Sequence, residues 1–214
     1  MKILSVSTAT NHLSVALNED QQVIVEKNER DERNHSEHLD PLIDEILKEN
    51  KLTLKDIDRF AVAIGPGSYT GLRIGITTVK MFASILDKEV VGISTLQALA
   101  KGVAGDALVI AGLDARNDNY FAGGYKSGDI PENVILDGHY NIDALIKAIQ
   151  EYAAENEVKK IVFVGSGLEK QDEKIKALNI PYEYGDYDQN VIHAGLIGRL
   201  AVSATPIDPE KLLP

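Results

Sequence analysis

The sequence predicts an α/β protein of two units, each a mixed sheet flanked by helices. Three observations predict it. Each half of the chain presents three β-rich segments, then a helix, a strand, a glycine turn and another helix, in that order. Short polar turns join the first three segments as antiparallel hairpins, while the strand–helix–strand passage makes parallel neighbours, so both pairings occur in one sheet. The order restarts near residues 102–106, which divides the 214 residues into units 1–105 and 106–214. The repeat is one of architecture and not of sequence.

Residues 2–6 are β-rich, and in 13–17 Leu13, Val15 and Leu17 alternate onto one face. A third strand over 23–25 follows the turn residues Asn18, Glu19 and Asp20. Residues 35–50 form a helix, because Leu39, Leu42, Ile43, Ile46 and Leu47 recur at helical spacing. Pro41 sits near its start, where a missing N–H costs least. The polar stretch 26–37 carries charges of both signs and reads as a solvated strand-to-helix loop. A strand over 59–64 ends at Gly65-Pro66-Gly67, and a helix over 71–86 follows; 90–93 is a strand and 95–103 a short helix. In the second half, strands fall at 107–113, 120–125 and 134–136, a helix at 142–153, and a strand at 160–164 closed by Gly165-Ser166-Gly167. Residues 168–178 and 191–202 read as helices.

Composition narrows the function. Asp and Glu number 33 against 22 Lys and Arg, a net charge of −11, and the longest basic pair is Lys159-Lys160. A phosphate backbone is bound through clustered basic surface, so direct, strong nucleic-acid binding is not expected. The chain has no Cys, which excludes disulfides, thiolate metal sites and a Cys nucleophile. Residues 1–6 are too few for the apolar region of a signal peptide, and no apolar run approaches a membrane span, so the expected compartment is the cytoplasm.

The stretch from Gly65 to Gly75 is the richest in chemistry. Gly65, Gly67, Ser68 and Gly71 lie where a strand passes into a helix, a place where backbone N–H groups and the helix dipole suit an anion. They are candidate nucleotide-binding residues. The spacing matches neither a P-loop, since Leu72-Arg73 follows Gly71, nor the dinucleotide fingerprint, since an extra residue separates Gly67 from Gly71. The plainer reading is a tight turn before a packed helix. His35 and His38 could share a helix face, but a metal needs a third ligand and Glu37 points elsewhere, so they read as solvent or interface histidines. His12, His139 and His193 are isolated in sequence. Ser68 lacks the Gly-x-Ser-x-Gly context of a nucleophile elbow.

The segment Gly-Pro-Gly-Ser-Tyr-Thr-Gly-Leu-Arg-Ile-Gly over 65–75 resembles the signature of the TsaB (YeaZ) family. Residues 3–16, His35-Ser36-Glu37 with Leu39 and Leu42, residues 93–96, and Asp114-Ala115-Arg116 with Tyr120 resemble that family in the same order, so the resemblance covers nearly the whole chain. It implies two actin-like domains of the sugar-kinase, chaperone and actin type. Active members of that fold carry an Asp near the end of the first strand to steer a metal-bound water. Ser7 stands at the matching position, and a hydroxyl cannot replace a carboxylate on Mg²⁺. The second phosphate hairpin of the fold is glycine-rich, whereas this chain has Asp114 to Tyr120. The catalytic relatives of the TsaD type hold a metal through His-x-x-x-His, and residues 94–100 here contain no His.

The resemblance therefore implies a non-catalytic subunit that binds and activates a TsaD-type threonylcarbamoyltransferase. Its further implied partners are a TsaE-type ATPase subunit, a second copy of itself when alone, and tRNA only indirectly. No cofactor is expected on the isolated chain, with ATP or ADP expected only at a surface shared between subunits. At about 100° per residue, Leu72, Ile76, Val79, Ala83 and Leu86 form one stripe of the 71–86 helix. Ile74, Thr78, Met81, Phe82 and Ile85 form a second, and Arg73, Thr77, Lys80, Ser84 and Asp87 a polar strip. The family pairs through its first two helices, so the expected interface is Ile74, Thr78, Met81, Phe82 and Ile85 with His38 and Glu45. The alternatives are an autonomous ATP-dependent small-molecule kinase of the same fold and a protease acting on its partner. Family members continue past the position of Pro214, so a longer tail is expected.

Overall fold

The structure is a computed structural model and describes residues 1–30 and 35–213. The chain divides into two compact units, Met1–Ala98 with Ile192–Pro214, and Leu99–Val191. The expected division at 105/106 is thereby corrected. The last segment of the chain belongs to the first unit because its helix is received by side chains of the first sheet, far away in sequence.

The first unit holds β1 (Lys2–Ser7), β2 (His12–Glu19), β3 (Gln22–Arg30), β4 (Arg59–Gly65) and β5 (Glu89–Ser94) in the order β3-β2-β1-β4-β5. The first three strands are antiparallel hairpins, and β1–β4 and β4–β5 are parallel. β3 is longer than expected, because residues 26–30 of the presumed loop pair with β2; residues 31–34 of that stretch lie outside the described residues. The helices are α1 (His35–Glu49), α2 (Tyr69–Leu86), α3 (Thr95–Lys101), within which the division falls, and α6 (Ala194–Ala201).

β1 and β2 are buried along nearly their whole length, as strands covered on both faces must be. One face is large and apolar. Leu4, Val6, Phe60 and Val62 meet α2, with the rings of Phe60 and Phe82 5.8 Å apart. The opposite face is small and polar, with Ser5, Ser7, Ser14, Ala16 and Asn18, and it receives α6. Close approach requires glycine there. A Cβ on Gly195 would lie 2.8 Å from Glu26 Oε2, and one on Gly198 would strike Asn18. Asn18 Nδ2 donates to the Gly195 carbonyl at 3.0 Å, and Ala194 N–H, at the helix start, donates to Ser14 Oγ at 2.8 Å.

The second unit repeats the same topology: β6 (Leu108–Asp114), β7 (Asn119–Lys126), β8 (Glu132–Asn141), β9 (Ile161–Gly165) and β10 (Tyr182–Tyr184) in the order β10-β9-β6-β7-β8. α4 (Ile142–Glu155) packs Ile142, Leu145 and Ile149 against Tyr120, Ile135 and Phe163. The helix expected over 168–178 is a turn of 3-10 helix, the short α5 (Asp172–Ile175) and a second 3-10 turn. Among the described residues no helix is long and apolar enough to cross a membrane.

Candidate functional site

The turn between β4 and α2 is built against the end of the first hairpin. Ser68 N–H donates to the Ala9 carbonyl at 2.7 Å, and Thr8 Oγ1 donates to the Gly71 carbonyl at 2.7 Å. Ser68 caps α2, its Oγ accepting from Gly71 N–H at 3.2 Å. A Cβ on Gly67 would overlap the Ala9 carbonyl, and one on Gly71 the Thr8 carbonyl. Gly67 and Gly71 are therefore required by close backbone approach inside the unit. Ser68 N–H is spent on that approach and Gly71 N–H on the cap. Ser68 Oγ is committed as a cap and has no histidine as a hydrogen-bond partner among the described residues. Ser7 is fully buried, and its hydroxyl has no partner among the described residues.

The corresponding turn of the second unit has the same economy. Ser166 N–H donates to the Gly112 carbonyl at 2.9 Å, Gly165 N–H to Asn190 Oδ1 at 2.9 Å, and Tyr120 Oη to the Gly167 carbonyl at 3.0 Å. Asp114 accepts from Lys170 Nζ at 2.9 Å and from Arg116 N–H at 2.8 Å. The Lys170 hydrogen bond, then that of the Arg116 backbone, holds its carboxyl below the ordinary aspartate value. Asp114 is thus occupied as a structural ion pair. The cavity beneath, lined by Phe163, Leu168, Tyr184 and Asn190, measures about 130 Å³. That is smaller than the roughly 300 Å³ at which ligand pockets begin.

The face of α1 and α2 differs in kind. Leu72, Ile76, Val79 and Ala83 of α2 are buried on the sheet. On its other side Ile74, Thr78 and Phe82 are half-buried, Met81 is 46% exposed and Ile85 74% exposed. Of the five α2 residues expected at an interface, Phe82 also packs its ring on Phe60 of the sheet, 5.8 Å away. His38 and Glu45 lie on the β3 side of α1, where His38 Nδ1 meets Glu29 Oε2 at 2.9 Å and Glu45 meets Lys27 at 2.7 Å. Between the start of α1 and α2 runs an open groove of about 410 Å³, lined by Leu39, Asp40, Tyr69, Arg73, Ile74 and Thr78 among others. Arg73, assigned from the helical wheel to a polar strip, stacks over the Tyr69 ring with 5.5 Å from guanidinium carbon to centroid. Tyr69 and Asp40 were not singled out from the sequence; the signal for them was an aromatic in the first turn of a helix with only two charges.

The histidines isolated in sequence are not isolated in space. His193 Nδ1 donates to Glu26 Oε1 at 3.0 Å, and Ser14 Oγ donates to the same oxygen at 3.0 Å. His35 Nε2 donates to the Thr10 carbonyl at 2.8 Å. Burial, and then the charges of Arg30, His193 and His35, hold His12 below its ordinary value. Among the described residues no group of three or more His, Asp or Glu is placed to hold a metal ion.

Two mixed sheets of identical strand order, each with a glycine turn where its fourth strand ends, define a fold of two actin-like domains. A hexokinase of the ROK type from Thermus thermophilus, 9% identical, is similar in fold at a TM-score of 0.53, covering 94% of this chain and 98% of that one. The structure of YeaZ from Pseudomonas aeruginosa is similar at a TM-score of 0.78 and 25% identity, covering 100% of this chain and 98% of that one. Residues 23–187 match the family described as TsaD: tRNA N6-adenosine threonylcarbamoyltransferase. The tRNA threonylcarbamoyladenosine biosynthesis protein TsaB of Bacillus subtilis is 32% identical over 176 residues, 80% of this chain and 74% of its own length. The chain belongs to the TsaB (YeaZ) family of tRNA threonylcarbamoyladenosine biosynthesis proteins.

Proposed function

We propose that this chain is a non-catalytic, partner-binding subunit in tRNA threonylcarbamoyladenosine formation, docking a TsaD-type threonylcarbamoyltransferase on its α1–α2 face and supporting that partner's active arrangement. The observation that carries the reading is the exposed apolar seam of α2, with Met81 and Ile85 uncovered in the lone chain. Three features support a non-catalytic role. Ser7 offers an uncharged, buried hydroxyl, Asp114 is held by Lys170, and the N–H groups of Ser68, Gly71, Gly165 and Ser166 make hydrogen bonds within the chain. In this reading the isolated chain holds no nucleotide, and ATP or ADP binds only at a surface shared with a partner. A TsaE-type ATPase subunit joins the pair, the partner holds the tRNA, and the assembly works in the cytoplasm. A surface of −11 net charge suits protein partners better than RNA.

The test is light scattering after size exclusion, on the chain alone and mixed with the TsaD-type protein of the same source. Met81→Asp and Ile85→Asp each put a charge into the seam and should abolish the mixed complex while leaving the melting temperature unchanged. Normal pairing by both variants would remove the assignment. ATP hydrolysis by the lone chain would revive the kinase alternative.

A further inference from the structure

The sheet of the first unit ends at β5, and an edge strand offers backbone groups that need a cover. The segment after α6 runs beside that edge. Ile207 N–H donates to the Val90 carbonyl at 2.9 Å in an isolated antiparallel bridge, and the 3-10 turn Pro209–Lys211 then lies against α2. The turn is closed by Asp208, whose Oδ1 accepts from Glu210 N–H and whose carbonyl accepts from Lys211 N–H, both at 2.9 Å. Lys80 Nζ, on α2, donates to the Glu210 carbonyl at 3.1 Å.

Beyond the turn the chain fills a seat. Leu212 is 1% exposed, whereas its neighbour Leu213 is 66% exposed. The side chain of Leu212 lies over Gly92 in the middle of β5. A Cβ added to Gly92 would stand 3.2 Å from Leu212 Cδ1 and 2.6 Å from Ile64 Cγ2. Glycine inside a strand weakens it and marks a place where something approaches closely. Here Leu212 is among the groups that approach. Residues 207–212 are therefore a strap held by one ladder bond, one lysine bond and one seated leucine. A segment with so few attachments opens by itself more readily than the sheet it covers. The strap also grips α2 where the helix carries its uncovered seam, since Lys80 directly precedes Met81 and Ile85 follows one turn later.

We propose that the strap sets the position of the second half of α2, so that seating of Leu212 and binding of a TsaD-type partner at Met81 and Ile85 favour one another. This rests on the reading of the α1–α2 face as an association surface. Leu212 is a positioning residue and acts through α2. The coupling is reciprocal: whatever the seated strap adds to partner affinity, the bound partner adds to closure of the strap.

The test has two parts. Hydrogen exchange on the unaltered chain, alone and with the TsaD-type protein of the same source, reads the coupling without any substitution. The Ile207 amide should exchange about tenfold more slowly in the complex. Leu212→Ala empties the seat and should weaken partner binding about tenfold, with faster exchange of Ile207 and of α2 from Lys80 onward. Leu212→Met refills the seat and should recover most of the affinity. Equal exchange of Ile207 in both states overturns the coupling. So does a Leu212→Ala variant that binds as the unaltered chain does, or a Leu212→Met variant that fails to recover. Ile85→Asp keeps the two ideas apart. If it abolishes binding and Leu212→Ala leaves binding unchanged, the face stands and the strap is an edge cover and nothing more. If neither changes binding, the face itself is wrong and the coupling falls with it.

Discussion

His193 and Glu26, 167 positions apart in sequence, are joined by a 3.0 Å hydrogen bond from Nδ1 to Oε1. Ser14 donates to the same carboxylate oxygen at 3.0 Å and accepts the first N–H of α6 at 2.8 Å. One carboxylate on β3 thus orders the hydroxyl that receives the helix, and it lies beneath that helix's positive end.

Glu26 should give the first unit an acid-sensitive joint. Burial pushes its pKa up, but the hydrogen bond and charge of His193, with the Ser14 bond, more than offset that and leave it below its ordinary value of 4.5. A carboxyl more acidic when folded contributes stability above that ordinary value and loses it as pH falls through the folded value. Glu26→Gln should cost about 1–2 kcal/mol near neutral pH. It should also narrow the gap between urea midpoints taken at about pH 7 and about pH 4. An unchanged gap would show that the acid sensitivity arises elsewhere.

Arg59 should be the second anchor of the returning segment. Its Nη1 donates to the Ala201 carbonyl, to that of Val202 at 3.3 Å and to that of Ala204 at 3.1 Å, while Nε holds Glu89 at 2.9 Å. Arg59→Met keeps the volume and removes every donor, leaving carbonyls at the end of α6 unsatisfied. A loss of about 2–4 kcal/mol in urea unfolding is expected, with faster amide exchange in α6 before the sheet.

Gly71→Ala should destabilise strongly although alanine favours helices, because its Cβ meets the Thr8 carbonyl. About 3 kcal/mol or more is expected. Gly128→Ala is the control, since its Cβ would meet only the Ile130 carbonyl oxygen, at 3.8 Å, and its effect should stay within about 0.5 kcal/mol. Equal melting temperatures for the two would mean that the signature glycines serve something other than packing.

Asp172 should titrate unusually low. Lys176, then the hydroxyls of Tyr182 and Tyr184 at 2.7 and 2.9 Å, stabilise its carboxylate and bring its pKa to about 2. The midpoint followed by NMR should rise in Tyr182→Phe and in Tyr184→Phe. The contribution of Asp172 is present above the usual aspartate range and is lost only as pH falls toward that low value.

Local signals gave the elements well. The helical spacing of Leu72, Ile76, Val79 and Ala83 marked the buried stripe of α2, and the alternation of Leu13, Val15 and Leu17 marked β2. β10 escaped because three residues after Pro181 carry no alternation long enough to read. The helix expected over 168–178 was broken because one apolar stripe can also be drawn over successive 3-10 and α turns. The placement of α6 could not be read at all, because its receivers Ser14, Asn18 and Glu26 announce nothing locally. On α2 the exposed apolar side chains of Met81 and Ile85 were legible from the helical wheel. Which neighbours reach Arg73 and Asp40 is a property of three dimensions.

The return of residues 192–213 to the first unit has a consequence for synthesis. A ribosome delivers β1 to β5 early, but the surface of Ser5, Ser14, Ala16 and Asn18 is not covered by α6 until residues 194–201 emerge. The middle of the chain, with its own five-stranded sheet, holds all its parts before the first unit does. The last unit to be finished is therefore the one that began first, and a nascent chain halted near residue 191 would carry an open seam along its oldest strands.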